Sequence, residues 1–100
     1  MKADVVWDKR ALGELANAAA WYDERVPGLG KELLAEVHAA VEKIRRAPRT
    51  YPTIHQNVRH ALVGRFPYLV MFECEMNYIG IIAVFHAKRH PRHWIKRAGR

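Results

Sequence analysis

The sequence holds a single cysteine, Cys74. A lone thiol excludes an intramolecular disulfide and any zinc site built on paired cysteines. Lying in an apolar run, it reads as a small buried hydrophobe. No window approaches the roughly 20 apolar residues that a membrane helix needs. The start, Met1-Lys2-Ala3-Asp4, lacks the apolar stretch of a secretory signal. The expectation is a cytoplasmic, reduced protein with no membrane partner. Low-complexity runs are also missing, half of the residues are apolar and three are tryptophan, so global disorder is excluded. One hundred residues suffice for one compact domain and are too few for two, so residues 1–100 are read as a single domain.

Acidic residues are scarce in one half only. Residues 1–46 carry eight Lys/Arg and eight Asp/Glu, net zero; residues 47–100 carry nine Lys/Arg against Glu73 and Glu75, net +7, which accounts for the whole chain's +7. Five of the six histidines also lie in the second half. An excess confined to one part of the fold is the electrostatic footprint of a polyanion binder, with a solvated basic face as the plainer alternative.

Hydrophobic spacing gives the architecture. Ala3–Trp7 is short and β-prone, and Asp8 is suited to cap the helix that follows. From Lys9 to about Val26 the stripe Leu12, Leu15, Ala19, Tyr22, Val26 has helical period. Trp21 lies nearly opposite Leu12, which leaves it packed against a chain terminus or open to a partner. Pro27-Gly28-Leu29-Gly30 breaks this helix. A second runs from about Leu29 to Arg46 with Leu33, Val37, Val41 and Ile44 inward, widened by Leu34 and Ala40, and Ala47-Pro48 ends it. The short link predicts an antiparallel helical hairpin. Residues 49–57 read as a loop, Val58–Val63 as a strand and Gly64–Pro67 as a turn. Tyr68–Met76 alternates, with Tyr68, Val70, Phe72 and Cys74 on one face and Leu69, Met71, Glu73 and Glu75 on the other. Ile79–Phe85 is apolar on both faces, as in a central strand. The order β-α-α-β-β-β predicts an α+β fold: an N-terminal strand at a sheet edge, a helical hairpin on one face, and a three-stranded antiparallel meander whose other face carries the basic residues.

Several of these residues fall into a family pattern. Trp21-Tyr22, Pro27-Gly28-Leu29-Gly30, Arg59, Arg65-Phe66-Pro67-Tyr68 and the closing run from Ala83 through His86, Arg89, Pro91 and Trp94 resemble the RelE/ParE superfamily of type II toxins, from about Ala3 to Arg97. The resemblance implies the same fold, and a bacterial growth-arresting toxin neutralised by a cognate antitoxin within a toxin–antitoxin hetero-oligomer. It leaves two targets. ParE-like members poison DNA gyrase without known chemistry of their own; RelE-like members cut messenger RNA on the ribosome. RelE-like nucleases carry an arginine just after the tyrosine matched by Tyr68, and a tyrosine near Trp94; here those positions hold Leu69 and Trp94, while Arg89 matches a family arginine. The departures favour the ParE-like reading or an unclassified target. An inactive antitoxin-binding member is a further alternative.

Metal-independent RNA cleavage needs a base, an acid and cations for the developing charge. His86 and Arg89 are the candidates for that chemistry if the chain is RelE-like, with His90 and Lys88 also chemically suited. Arg59 and Arg65 are suited to phosphates and Tyr68 to stacking a base; Lys88, His90, Arg92, Lys96 and Arg97 complete the expected contact surface for nucleic acid or another target. Each has a plainer role beside it: core packing for Tyr68, a buried hydrogen-bonded ring for His86, backbone partners for Arg89. His86, His90 and His93 are spaced for a helix face, but Pro91 interrupts any helix there, so neither metal nor cofactor is expected.

Overall fold

The structure, a computed structural model, describes residues 3–98. The chain runs through β1 (Asp4–Trp7), α1 (Lys9–Arg25), α2 (Leu29–Arg46), β2 (Thr53–His55), β3 (Val58–Val63), β4 (Phe66–Cys74) and β5 (Tyr78–His86), and ends in two 3-10 turns, Pro91–His93 and Ile95–Arg97. The five strands form one sheet in the order β1-β5-β4-β3-β2. β1 pairs parallel to β5, with Val5 opposite Ile79; the other pairings are antiparallel. The first strand is therefore at an edge, as expected, and β5 lies between it and β4.

Local chemistry starts and stops the helices. Asp8 caps α1 by accepting from the Arg10 N–H at 2.8 Å. Gly28, at φ +89°, turns the chain into α2 in a region that disfavours side chains. Gly30 is buried where the helices cross. Its N–H donates to Asp23 at 2.7 Å, and a Cβ there would collide with the Ala19 carbonyl and the Asp23 carboxylate. This glycine sets how closely the hairpin closes.

The helices cover one face of the sheet. Ala11, Ala18 and Ala19 of α1 and Leu33, Val37, Val41 and Ile44 of α2 pack with Val70, Phe72, Ile79 and Ile81. Small residues on α1 let it lie close to β5. The inward stripe of α1 differs from the one its leucines suggested. Leu12 and Val26 are 49% and 53% exposed, and alanines take their place because the helix sits too near the sheet for larger side chains. Cys74 packs half-buried at the margin of this core.

Three further expectations are corrected. Residues 49–57 hold a 3-10 turn (Pro48–Thr50) and the short β2, which pairs with β3. Phe66 and Pro67 belong to β4 and not to the turn, so the link from β3 is Gly64-Arg65 alone. The second sheet face is not an open basic surface. Val58, Met71, Ile82, Ala83 and Phe85 form an apolar cluster there, closed by Trp94 at 3% exposure, with Leu69, Ile95 and Ala98 packed against it. A bulge makes this possible. Met71 pairs with Ala83 and Phe72 with Ile81, so β5 holds one extra residue, and Ile82 joins Ala83 and Phe85 on the tail side.

Candidate functional site

β1 stops at Trp7, and the second half of β5 has no strand on that side. Side chains complete this edge. The Val84 N–H donates to Glu14 Oε1 at 3.1 Å. Arg97 donates to the Ile82 carbonyl at 2.8 Å and grips both oxygens of Glu14 at 3.0 Å. Arg97 is 8% exposed, so this bidentate pair is largely shielded from water. It ties the tail to α1 and takes the position of a missing strand.

Beside the pair opens a cleft of about 340 Å³ whose walls include Trp21, Tyr22, Tyr68 and His86, with Glu14, Asn17 and Arg89 as further polar lining. The walls are mostly rings packed edge to face: Trp21 on Tyr22 at 5.0 Å, Tyr22 on Tyr68 at 6.3 Å and Tyr68 on His86 at 5.3 Å between centroids. Tyr22 also meets Phe66 at 5.1 Å, which anchors the wall in the core. Arg25 lies over the Trp21 ring at 3.5 Å, and Trp21 is 49% exposed.

The electrostatics follow from position. Burial, reinforced by Tyr22 and opposed by Arg89, raises the Tyr68 phenol above its usual value. Nδ1 of His86 accepts the Lys88 N–H at 3.1 Å, so the neutral ring carries its proton on Nε2. A ring held in that tautomer presents a donor on its free nitrogen and not a base. His90 is fixed likewise by the Arg92 N–H at 3.1 Å. Lost hydration, then Arg89, Arg92 and His90, holds His93 below its usual value, with Glu14 acting the other way.

Of the residues singled out from sequence, Tyr68, His86 and Arg89 meet in this cleft. Lys88, His90, Arg92 and Lys96 are exposed along the tail. The other three arginines hold the fold. Arg59 donates to the Tyr51 and Arg49 carbonyls, Arg65 pairs with Glu32 and Glu36 of α2, and Arg97 is the buried partner of Glu14. Sequence reasoning overlooked Glu14, Asn17 and Tyr22 as cleft residues. Glu14 had a signal: it shares a helix face with Ala11 and Ala18, three back and four on, and an acid on a buried face requires a buried partner. Among the described residues no cluster of three or more metal-ligating side chains occurs, and no helix is long and apolar enough to cross a membrane.

Comparison with known proteins agrees with this architecture. No curated protein sequence matches the chain. A solved structure from the chromosomal ParDE TA system of P. aeruginosa superposes with a TM-score of 0.76 at 16% identity, covering 85% of this chain and 96% of that one. At that identity the likeness is one of fold. The family described as the ParE toxin of the type II toxin-antitoxin system parDE matches residues 5–91, from β1 to the start of the tail. The chain belongs to this ParE toxin family.

Proposed function

We propose that this toxin arrests growth by binding DNA gyrase rather than by cutting RNA. One observation carries the reading. The positions where RNA-cleaving relatives hold an arginine and a tyrosine are here Leu69 and Trp94, and both pack into the apolar cluster on the tail side of the sheet. At 3% exposure, Trp94 is not itself placed to touch a phosphate. The basic residues Lys88, His90, Arg92 and Lys96 then act as a contact surface that steers association.

The partner that silences the toxin is an antitoxin segment, in line with the family. The groove between β1 and the helical hairpin suits an amphipathic one. It is lined by Val5, Trp7, Leu12, Leu34, Val37 and Val41, and Leu12 and Leu34 are 49% and 43% exposed. The test of the target is a gyrase supercoiling reaction with the purified chain. Lost supercoiling with trapped cleaved DNA is the expected result. Untouched supercoiling, from protein shown to be folded, overturns the reading and returns the weight to messenger RNA or to an inactive member.

A further inference from the structure

The structure assigns a second role to the ring-walled cleft: we infer that it takes a single unstacked nucleobase from single-stranded nucleic acid, with the flanking phosphates held by Arg89 and the basic tail. Four observations carry this. The lining is dominated by planar groups, Trp21, Tyr22, Tyr68 and His86, and has little aliphatic surface, which favours a flat heterocycle over an aliphatic side chain. Its volume of about 340 Å³ lies at the lower end of small-ligand sites and suits one base rather than a folded element. Hydrogen-bonding groups sit among the rings: the exposed amide of Asn17 offers a donor and an acceptor, and the free nitrogen of His86 offers a donor. Arg89 lines the cleft, and it and the exposed Lys88 and Arg92 close to it in sequence lack carboxylate partners among the described residues. Arg10, Arg25, Arg45, Arg65 and Arg97 each have a carboxylate within 4 Å, whereas Arg89 leans on the Phe85 ring at 5.3 Å and makes no ion pair among the described residues, like Lys88 and Arg92 beside it.

Glu14 is the one acid in the lining, and Arg97 neutralises it with both guanidinium nitrogens, so it does not repel a phosphate as a free carboxylate would. Arg25 takes one face of Trp21, and the residue as a whole is 49% exposed. A duplex presents no unstacked base, so the site distinguishes single strands from double. The role goes beyond the gyrase reading and does not depend on it. A binding assay with nucleic acid alone contains no gyrase, so the two succeed or fail separately.

The experiment is fluorescence anisotropy of a 5′-labelled single-stranded DNA 10-mer of mixed sequence, and of the same 10-mer as a duplex, titrated with the full chain at two salt concentrations. Single strand should bind more tightly than duplex. Trp21→Ala should weaken single-strand binding about tenfold, the loss of one base–aromatic stack. Arg89→Gln should weaken it and flatten the salt dependence by about one phosphate contact. Asn17→Asp, at an exposed position that leaves the core intact, should also weaken it, and Arg46→Ala, an exposed cation outside the cleft, should change it less than twofold. Wild-type binding by both Trp21→Ala and Asn17→Asp overturns the proposal, as does duplex binding as tight as single strand. Complete displacement of the 10-mer from the cleft by a short Glu/Trp peptide, with no Trp21 effect on the nucleic acid, overturns it in favour of a protein partner.

Discussion

Replacing Arg97 with methionine should cost more stability than any other single change to the charged surface. The side chain is 8% exposed and makes three hydrogen bonds, two to Glu14 and one to the Ile82 carbonyl. Methionine keeps much of the packing and removes all three. Glu14 is then left facing the β5 edge with the Val84 N–H as its remaining donor. Stripping one partner from a buried pair costs about 3–5 kcal/mol; Glu14, with 23% of its side chain exposed, can recover some hydration, so the low end, about 3 kcal/mol, applies. For a chain of this size each kcal/mol moves Tm by about 4–8 °C, which gives a fall of about 12–24 °C. The tail should loosen at the same time, and Trp94 emission should shift to the red. The double variant Glu14→Gln/Arg97→Met provides the sharper assay. If the groups act as one unit, the double loss is smaller than the sum of the single losses by more than about 1 kcal/mol. A loss below about 0.5 kcal/mol for Arg97→Met, or strictly additive single losses, refutes the claim that this pair replaces a strand at the edge of β5.

Other expectations follow from the same packing. Gly30→Ala should lower stability by about 1–3 kcal/mol in a denaturant titration, because the added methyl meets the Ala19 carbonyl and Asp23 and the hairpin must open. Trp94→Ala should cost about 3–5 kcal/mol by uncovering the tail-side cluster; a value near zero would mean that the tail does not close that face. Tyr68 should ionise above the usual pH 10.0, read as the tyrosinate absorbance that Tyr68→Phe removes. Because its folded value is raised, its contribution is fully present below pH 10.0 and is lost as pH rises through the folded value, so Tyr68→Phe should flatten the fall in stability above pH 10.0.

Much of the fold was legible because apolar spacing repeats over long enough stretches to identify both helices and the three meander strands, and the β-prone run Ala3–Trp7 marked β1. β2 was not: three residues, Thr53–His55, with two of them exposed, carry no alternation, and they form a strand because β3 offers an unpaired edge. The stripe of α1 misled for a steric reason. Leu12 looks like core, yet the helix approaches β5 closely enough that Ala11 and Ala18 fill the contact and Leu12 lines the outer groove. The basic excess was visible as a sum but not by residue. Arg59, Arg65 and Arg97 are held by internal partners that only the folded chain brings near, 8 to 83 residues away in sequence, which leaves Arg89 and the exposed tail as the available charge. Tyr68, His86 and Arg89 were each named from sequence among other candidates, but only the folded chain brings these three into one cleft; Tyr22 was read as part of the inward stripe of α1 and not as a site residue, and nothing local marks Asn17.

The claim that this toxin acts by binding is tested most directly by inducing the chain without an antitoxin and measuring, in the same arrested cells, chromosomal DNA breaks and the 5′ ends of translated messages. Accumulating breaks with an unchanged set of message ends is the predicted result. New 5′ ends within translated codons, without DNA breaks, would contradict it and make His86 and Arg89 the residues to mutate next.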